Sequence, residues 1–136
     1  MGDNGKIIFG NNFTATTSLK ITSYYYIEFK ENVLCGWNCI FTDTDFHQLS
    51  LVGSDIKPKS FDKIVIGNDN WIAFNNIVLK GAKLGSYNIV SSNSILNKNY
   101  ADVHYCLFAG QPAQVKKNGI YRDRLNDKID YHYENI

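Results

Sequence analysis

His47 closes the run Asp43-Thr44-Asp45-Phe46-His47, with carboxylates four and two residues ahead of it. An imidazole titrates near neutral pH, so it can take the proton from a hydroxyl as that hydroxyl attacks. A carboxylate accepting the other ring N–H would fix the tautomer, and either Asp43 or Asp45 is close enough in sequence to do so; a solvent-exposed loop histidine is the plainer alternative. His104 and His132 read as surface histidines, and the spacing of the three histidines does not suit a zinc site. Cys35, Cys39 and Cys106 are odd in number and form no CxxC pair, so they read as small buried residues, not as a disulfide framework or a metal site. No serine or cysteine sits in a recognisable nucleophile motif, which favours direct attack by a bound acceptor over a covalent enzyme intermediate.

The frame that must position these residues is periodic. From 66 to 96 the aliphatics Ile66, Ile72, Val78, Leu84, Val90 and Leu96 recur every six residues. A strand repeats every two residues and an amphipathic helix every 3.6, so neither produces this spacing. A solenoid with a corner every six residues does: three short strands make one triangular coil, and the aliphatics stack inward from coil to coil. Small residues often follow them, as at Gly67, Ala73, Gly85 and Ser91, and Asn and Gly tolerate the corners. The same phase recurs at Phe9, Ala15 and Ile21 and, after a slip of two residues, at Phe29, Cys35 and Phe41. Between Phe41 and Ile66 the pattern fails across a polar stretch holding Gly53 and Pro58, which predicts an excursion over about 43–63 with His47 near its start. The repeat ends after Leu96, and the charged segment 116–136 predicts a short C-terminal helical tail beyond a main domain of 1–115. A β-sandwich of short strands is the rival architecture.

Composition narrows the classes of partner. The 136 residues carry 14 basic and 13 acidic side chains, a net charge of +1, so no global field draws the chain to nucleic acid or to an anionic membrane surface. Its apolar runs fall far short of the roughly 20 residues needed to span a bilayer, and no charged start leads into an apolar leader. The expectation is a cytoplasmic protein without membrane insertion.

Three segments, DTDFH at 43–47, IGNDNWIAFNNIVLKGAKLG at 66–85 and AGQPAQVKK at 109–117, resemble in order and spacing the hexapeptide-repeat acyltransferases. The similarity is greatest to the sugar O-acetyltransferases of bacterial surface polysaccharides. The resemblance implies an all-β, left-handed parallel β-helix, a homotrimer, acetyl-CoA as co-substrate with no metal, and transfer of acetyl to a saccharide hydroxyl. It matches His47 to the family's catalytic histidine; Asp45 is the candidate orienting partner, with a backbone carbonyl as the alternative. It places cofactor contacts on Phe74 and Ser92 through backbone groups and on Asn97, Lys98, Gln114 and Lys117. Gln114 stands where the family often has Lys or Arg, which shifts phosphate binding toward Lys98, Lys116 and Lys117. Trp71 points outward by the register; in the family this position lies beside the active site, and packing against a neighbouring subunit is the alternative. Tyr24, Tyr25 and Tyr26 form a stacking surface for a sugar ring or are simply strand residues. Tyr24 is therefore a candidate substrate contact. Tyr24 and Thr16 also replace the amide and carboxylate residues of enzymes acting on galactosides or maltose, which counts against that acceptor class.

Two other readings share these residues: N-acetylation of a nucleotide-linked amino sugar, and a catalytically silent β-helix scaffold. In either enzyme reading the charge that develops during acyl transfer needs a preorganised donor, and a backbone N–H is the natural one.

Overall fold

The structure is a computed structural model and describes residues 1–132. Its strands are short and come in threes: β1 (Ile7–Phe9), β2 (Thr14–Ala15) and β3 (Lys20–Thr22); β4 (Ile27–Phe29), β5 (Leu34–Cys35) and β6 (Ile40–Thr42); β7 (Ile64–Ile66), β8 (Trp71–Ile72) and β9 (Ile77–Val78); β10 (Lys83–Leu84), β11 (Ile89–Val90) and β12 (Ile95–Leu96). A partial fifth coil follows as β13 (Asn99–Tyr100) and β14 (Cys106–Gly110), and β15 (Ala113–Asn118) folds back antiparallel on β14. Each strand pairs in parallel with its counterpart one coil on, giving three sheets: β1-β4-β7-β10-β13, β2-β5-β8-β11-β14-β15 and β3-β6-β9-β12.

The six-residue period sets both the core and the corners. Phe9, Phe29, Ile66, Leu84 and Tyr100 align through the first sheet, Ala15, Cys35, Ile72, Val90 and Phe108 through the second, and Ile21, Phe41, Val78 and Leu96 through the third. Most of these side chains are fully buried, and each large one contributes about 1.5–3 kcal/mol of hydrophobic stabilisation. Three residues after an inward position the backbone takes a positive φ, at Asn12, Ser18, Asn32, Asn38, Asp69, Asn75, Tyr87 and Asn93. Asn and Asp reach that left-handed conformation more readily than most residues. A Cβ on Gly67 would sit 2.6 Å from the Gly85 carbonyl oxygen, so the small residue after Ile66 is demanded by the approach of the next coil.

One residue further along, the corner interiors carry buried asparagines that pair coil to coil. Asn70 donates to the carbonyls of Gly67 and Gly85 and accepts from the Asn88 amide; Asn88 repeats the pattern toward Val103 and Cys106. Asn76 and Ser94 do the same at the neighbouring corner. Cys39 shares the core interior with Cys35, and all three cysteines are free and buried. Burial pushes the Cys35 thiol well above the ordinary thiol range and raises Cys39 as well, so neither offers a thiolate near neutral pH.

One feature departs from the sequence expectation. The coil continues past Leu96, because Tyr100 and Phe108 take inward places although the chain reaches Tyr100 only four residues after Leu96. The expected short C-terminal helix is a single 3-10 turn at Arg124–Asn126, beyond a strand that occupies 113–118. Residues 133–136 of the expected tail lie outside the described residues. The slip of two residues is where the period placed it: Ile21 lies opposite Phe41, twenty residues on, whereas Ile72 lies opposite Val90, eighteen on. The excursion leaves after β6 and returns at β7.

Candidate active site

The corner between the third and first sheets forms one edge of the prism, and most of the polar chemistry lies along it. From coil to coil it carries the turn Ser23–Tyr26, the excursion 43–63, Lys80 with Gly81, and Asn97 with Lys98. Neighbouring strands are about 4.8 Å apart, so these groups line up along the solenoid axis.

A short antiparallel neck holds the excursion. The Asp62 amide donates to the Asp43 carbonyl, Thr44 bridges Phe61, and the Asp45 amide donates to the Ser60 carbonyl. Lys80 Nζ, from the next coil, contacts Asp45 Oδ2 at 2.8 Å and also donates to the Lys59 carbonyl. Beyond this neck the chain exposes Leu49, Leu51, Val52 and Ile56. His47 stands where the neck opens, and its side chain is exposed.

The two carboxylates that precede it have other partners. Asp43 is fully buried and accepts from Ser23 Oγ and from the amides of Tyr24, Tyr25 and Tyr26. Asp45 pairs with Lys80. Among the described residues no hydrogen bond or ion pair joins either carboxylate to the His47 ring. Tyr24 does belong to this neighbourhood: its half-exposed ring meets Phe46 edge-on at 5.8 Å.

The other candidate residues fall into three groups. Trp71, Phe74 and Ser92 line a groove of about 620 Å³ on the outer face of the second sheet, with Leu34, Ile89, Leu107 and the Trp37 ring stacked on Phe74 at 4.5 Å. Its walls are apolar except for Thr16, Ser91 and Ser92. Asn97 and Lys98 line a separate polar pocket of about 320 Å³ on the His47 edge, together with Lys59, Asp62 and Lys80. Gln114, Lys116 and Lys117 are exposed along β15. Sequence reasoning did not single out Trp37, Lys59 or Lys80. Trp37 could have been found one coil before Phe74, since Gly36 and Ala73 occupy neighbouring coils with a Cβ on Gly36 reaching within 3.0 Å of the Ala73 and Phe74 backbone.

The arrangement supplies an exposed imidazole on a fixed neck, an apolar groove and exposed lysines for anionic groups. Among the described residues no cluster of three or more His, Cys, Asp or Glu side chains is placed to hold a metal ion, and no helix is long and apolar enough to cross a membrane.

No model of a known protein family matches the chain. Among curated proteins it is 29% identical over 116 residues to a probable acetyltransferase of Mycobacterium tuberculosis, covering 84% of this chain and 38% of that protein. It is 32% identical over 120 residues to an uncharacterized 24.8 kDa protein in the cps region of Klebsiella pneumoniae, covering 88% of this chain and 52% of that protein. The chain thus spans about half or less of the length of these relatives. Among solved structures, the polySia-specific acetyltransferase NeuO superposes with a TM-score of 0.81 at 22% identity over 90% of this chain and 56% of that one. A galactoside acetyltransferase in complex with coenzyme A gives 0.63 at 21% identity over 98% of this chain and 72% of that one. The chain has the hexapeptide-repeat acetyltransferase fold, a left-handed parallel β-helix.

Proposed function

We propose that this chain is an acetyl-CoA-dependent acetyltransferase that acetylates a saccharide hydroxyl, with His47 as general base, in the assembly of a surface polysaccharide. The observation that carries the reading is the placement of His47: the repeat is interrupted by a long excursion between Phe41 and Ile66, and that break presents an exposed imidazole on a hydrogen-bonded neck. The fold likeness to enzymes that act on saccharides supports the class of acceptor.

The donor thioester supplies the acetyl group. The residues present suit such a molecule, because the groove beside Trp71, Phe74 and Ser92 offers apolar walls to the methylene and dimethyl parts of a pantetheine arm, and Lys98, Lys116 and Lys117 can face phosphates. His47 takes the proton from the acceptor hydroxyl as it attacks, which contributes typically about 10²–10⁴-fold to rate. Tyr24 and Trp71 offer ring faces to a sugar. Asp45, engaged by Lys80 in this conformation, orients His47 only if the carboxylate exchanges partners when substrate binds.

A homotrimer is the assembly under which these half-sites meet. The groove and the His47 edge lie on different parts of one prism, and the apolar side chains of the excursion lack cover among the described residues of a single chain. Placing the excursion of one copy against the groove of the next brings His47 to the cofactor and covers those side chains.

The test is acetyl transfer from labelled acetyl-CoA to a panel of saccharides bearing free hydroxyls or free amines. The proposal expects alkali-labile label on oxygen. Label retained on nitrogen assigns the chain to amino-sugar acetylation, and no transfer to any acceptor with coenzyme A bound assigns it to a scaffold.

A further inference from the structure

The two-residue slip between β3 and β4 inserts a longer turn than the corners of the later coils, and a buried carboxylate holds it. Asp43 Oδ2 accepts from Ser23 Oγ at 2.7 Å and from the Tyr25 and Tyr26 amides at 3.0 and 2.8 Å, and Oδ1 accepts from the Tyr24 amide at 2.9 Å. Four donors converge on one carboxylate that is 0% exposed and has no cationic partner among the described residues. Such charge-assisted bonds are stronger than neutral ones and fix the turn tightly. The consequence is the direction of the tyrosines. Tyr24 meets Phe46 edge-on, on the outgoing limb of the neck, and Tyr25 meets Phe61 edge-on at 5.0 Å, on the returning limb. Tyr26 turns away and donates its hydroxyl proton to Glu28 at 2.8 Å.

Phe46 needs this support. Its φ is +62°, in the left-handed region that bulky residues rarely enter and that costs about 1–3 kcal/mol unless the surroundings impose it. Its amide donates to Thr44 Oγ1 at 3.0 Å, and the Tyr24 ring closes the other side. The conformation of Phe46 sets the direction in which the next residue, His47, leaves the neck.

We infer that Asp43 is a positioning residue for the proposed reaction, acting through the Ser23–Tyr26 turn: it clamps both limbs of the neck with Tyr24 and Tyr25, holds Phe46 left-handed and so aims His47. This rests on His47 being the base, but the clamp itself can be read without turnover.

The test is ¹H–¹³C NMR of the imidazoles of the full chain beside steady-state kinetics. Only His47, His104 and His132 contribute, and His47→Ala assigns the resonance. Asp43→Asn keeps the shape but turns an NH₂ group toward at least one of the four donors. The inference expects the His47 resonance to move toward its unstructured position and narrow in Asp43→Asn and in Tyr24→Ala, and to stay in place in Tyr24→Phe, which keeps the ring. It expects kcat to fall about 10- to 100-fold in Asp43→Asn, with KM for acetyl-CoA unchanged. If Asp43→Asn does not fold, the half-exposed Tyr24→Ala decides by the same resonance. A folded Asp43→Asn or Tyr24→Ala with the wild-type His47 resonance overturns the clamp. Full activity in His47→Ala overturns the proposed function instead, and the position of the His47 resonance in the other variants still decides whether the clamp exists.

Discussion

The coils from β7 to β12 and the neck of the excursion satisfy their polar groups by opposite means. In the coils, the buried corner asparagines find their partners in the equivalent residues one coil on, so the stabilisation is spread evenly along the axis. The excursion has no equivalent neighbour. Its root depends on the carboxylates of Asp43 and Asp45, on Lys80 and on a few antiparallel bonds, and beyond the root its apolar side chains stand exposed. A repeat therefore supplies uniform rigidity, and an aimed side chain has to be built where the repeat is broken.

Substitutions should separate the two regions. The largest effect on stability is expected in the coils: Phe29 is buried among Phe9, Phe13 and Phe41 at ring distances of 5.4, 4.7 and 4.9 Å, and Phe29→Ala should cost about 3–5 kcal/mol in denaturant unfolding. Asn70→Ala comes next. It strands the Gly67 and Gly85 carbonyls and the Asn88 amide, and with about 1–3 kcal/mol for each group that stays unsatisfied the loss should be about 3 kcal/mol in the same assay. A loss below about 1 kcal/mol would mean that the corner ladder is not what joins the coils. The smallest effect is expected beyond the neck, where Leu51→Ser with Val52→Ser should change single-chain stability by less than about 0.5 kcal/mol. Under the threefold reading the same pair weakens association, which sedimentation would detect as dissociation at lower dilution. A large loss of monomer stability would show that the excursion packs on its own coil after all.

The coils were legible in the sequence because their period is written in side-chain volume: only an inward position requires Ile66, Ile72, Val78, Leu84, Val90 and Leu96 to be aliphatic at once. The slip after Ile21 and the break after Phe41 were legible as failures of that period. The fifth coil was not, because the corner between Leu96 and Tyr100 is two residues short and the register recovers only through pairing with β10 and β11. The roles of the carboxylates were hidden for a related reason. Asp43 and Asp45 lie close to His47 in sequence, but proximity along a chain does not give direction: Asp43 points into the prism toward amides 17–19 residues away, and Asp45 points to a lysine on the next coil. The residues proposed for the cofactor are dispersed over two corners and a terminal strand, and no local spacing could have joined them.

If the break in the repeat exists to present a base, the most direct measurement is the rate of acetyl transfer to a saccharide hydroxyl by the wild type and by His47→Ala, with the unfolding midpoint and acetyl-CoA affinity of both recorded. The expected result is a loss of about 10²–10⁴-fold in kcat with both of the other quantities unchanged, since the His47 side chain is exposed. A variant that folds, binds acetyl-CoA and transfers acetyl within a few-fold of the wild type would contradict it.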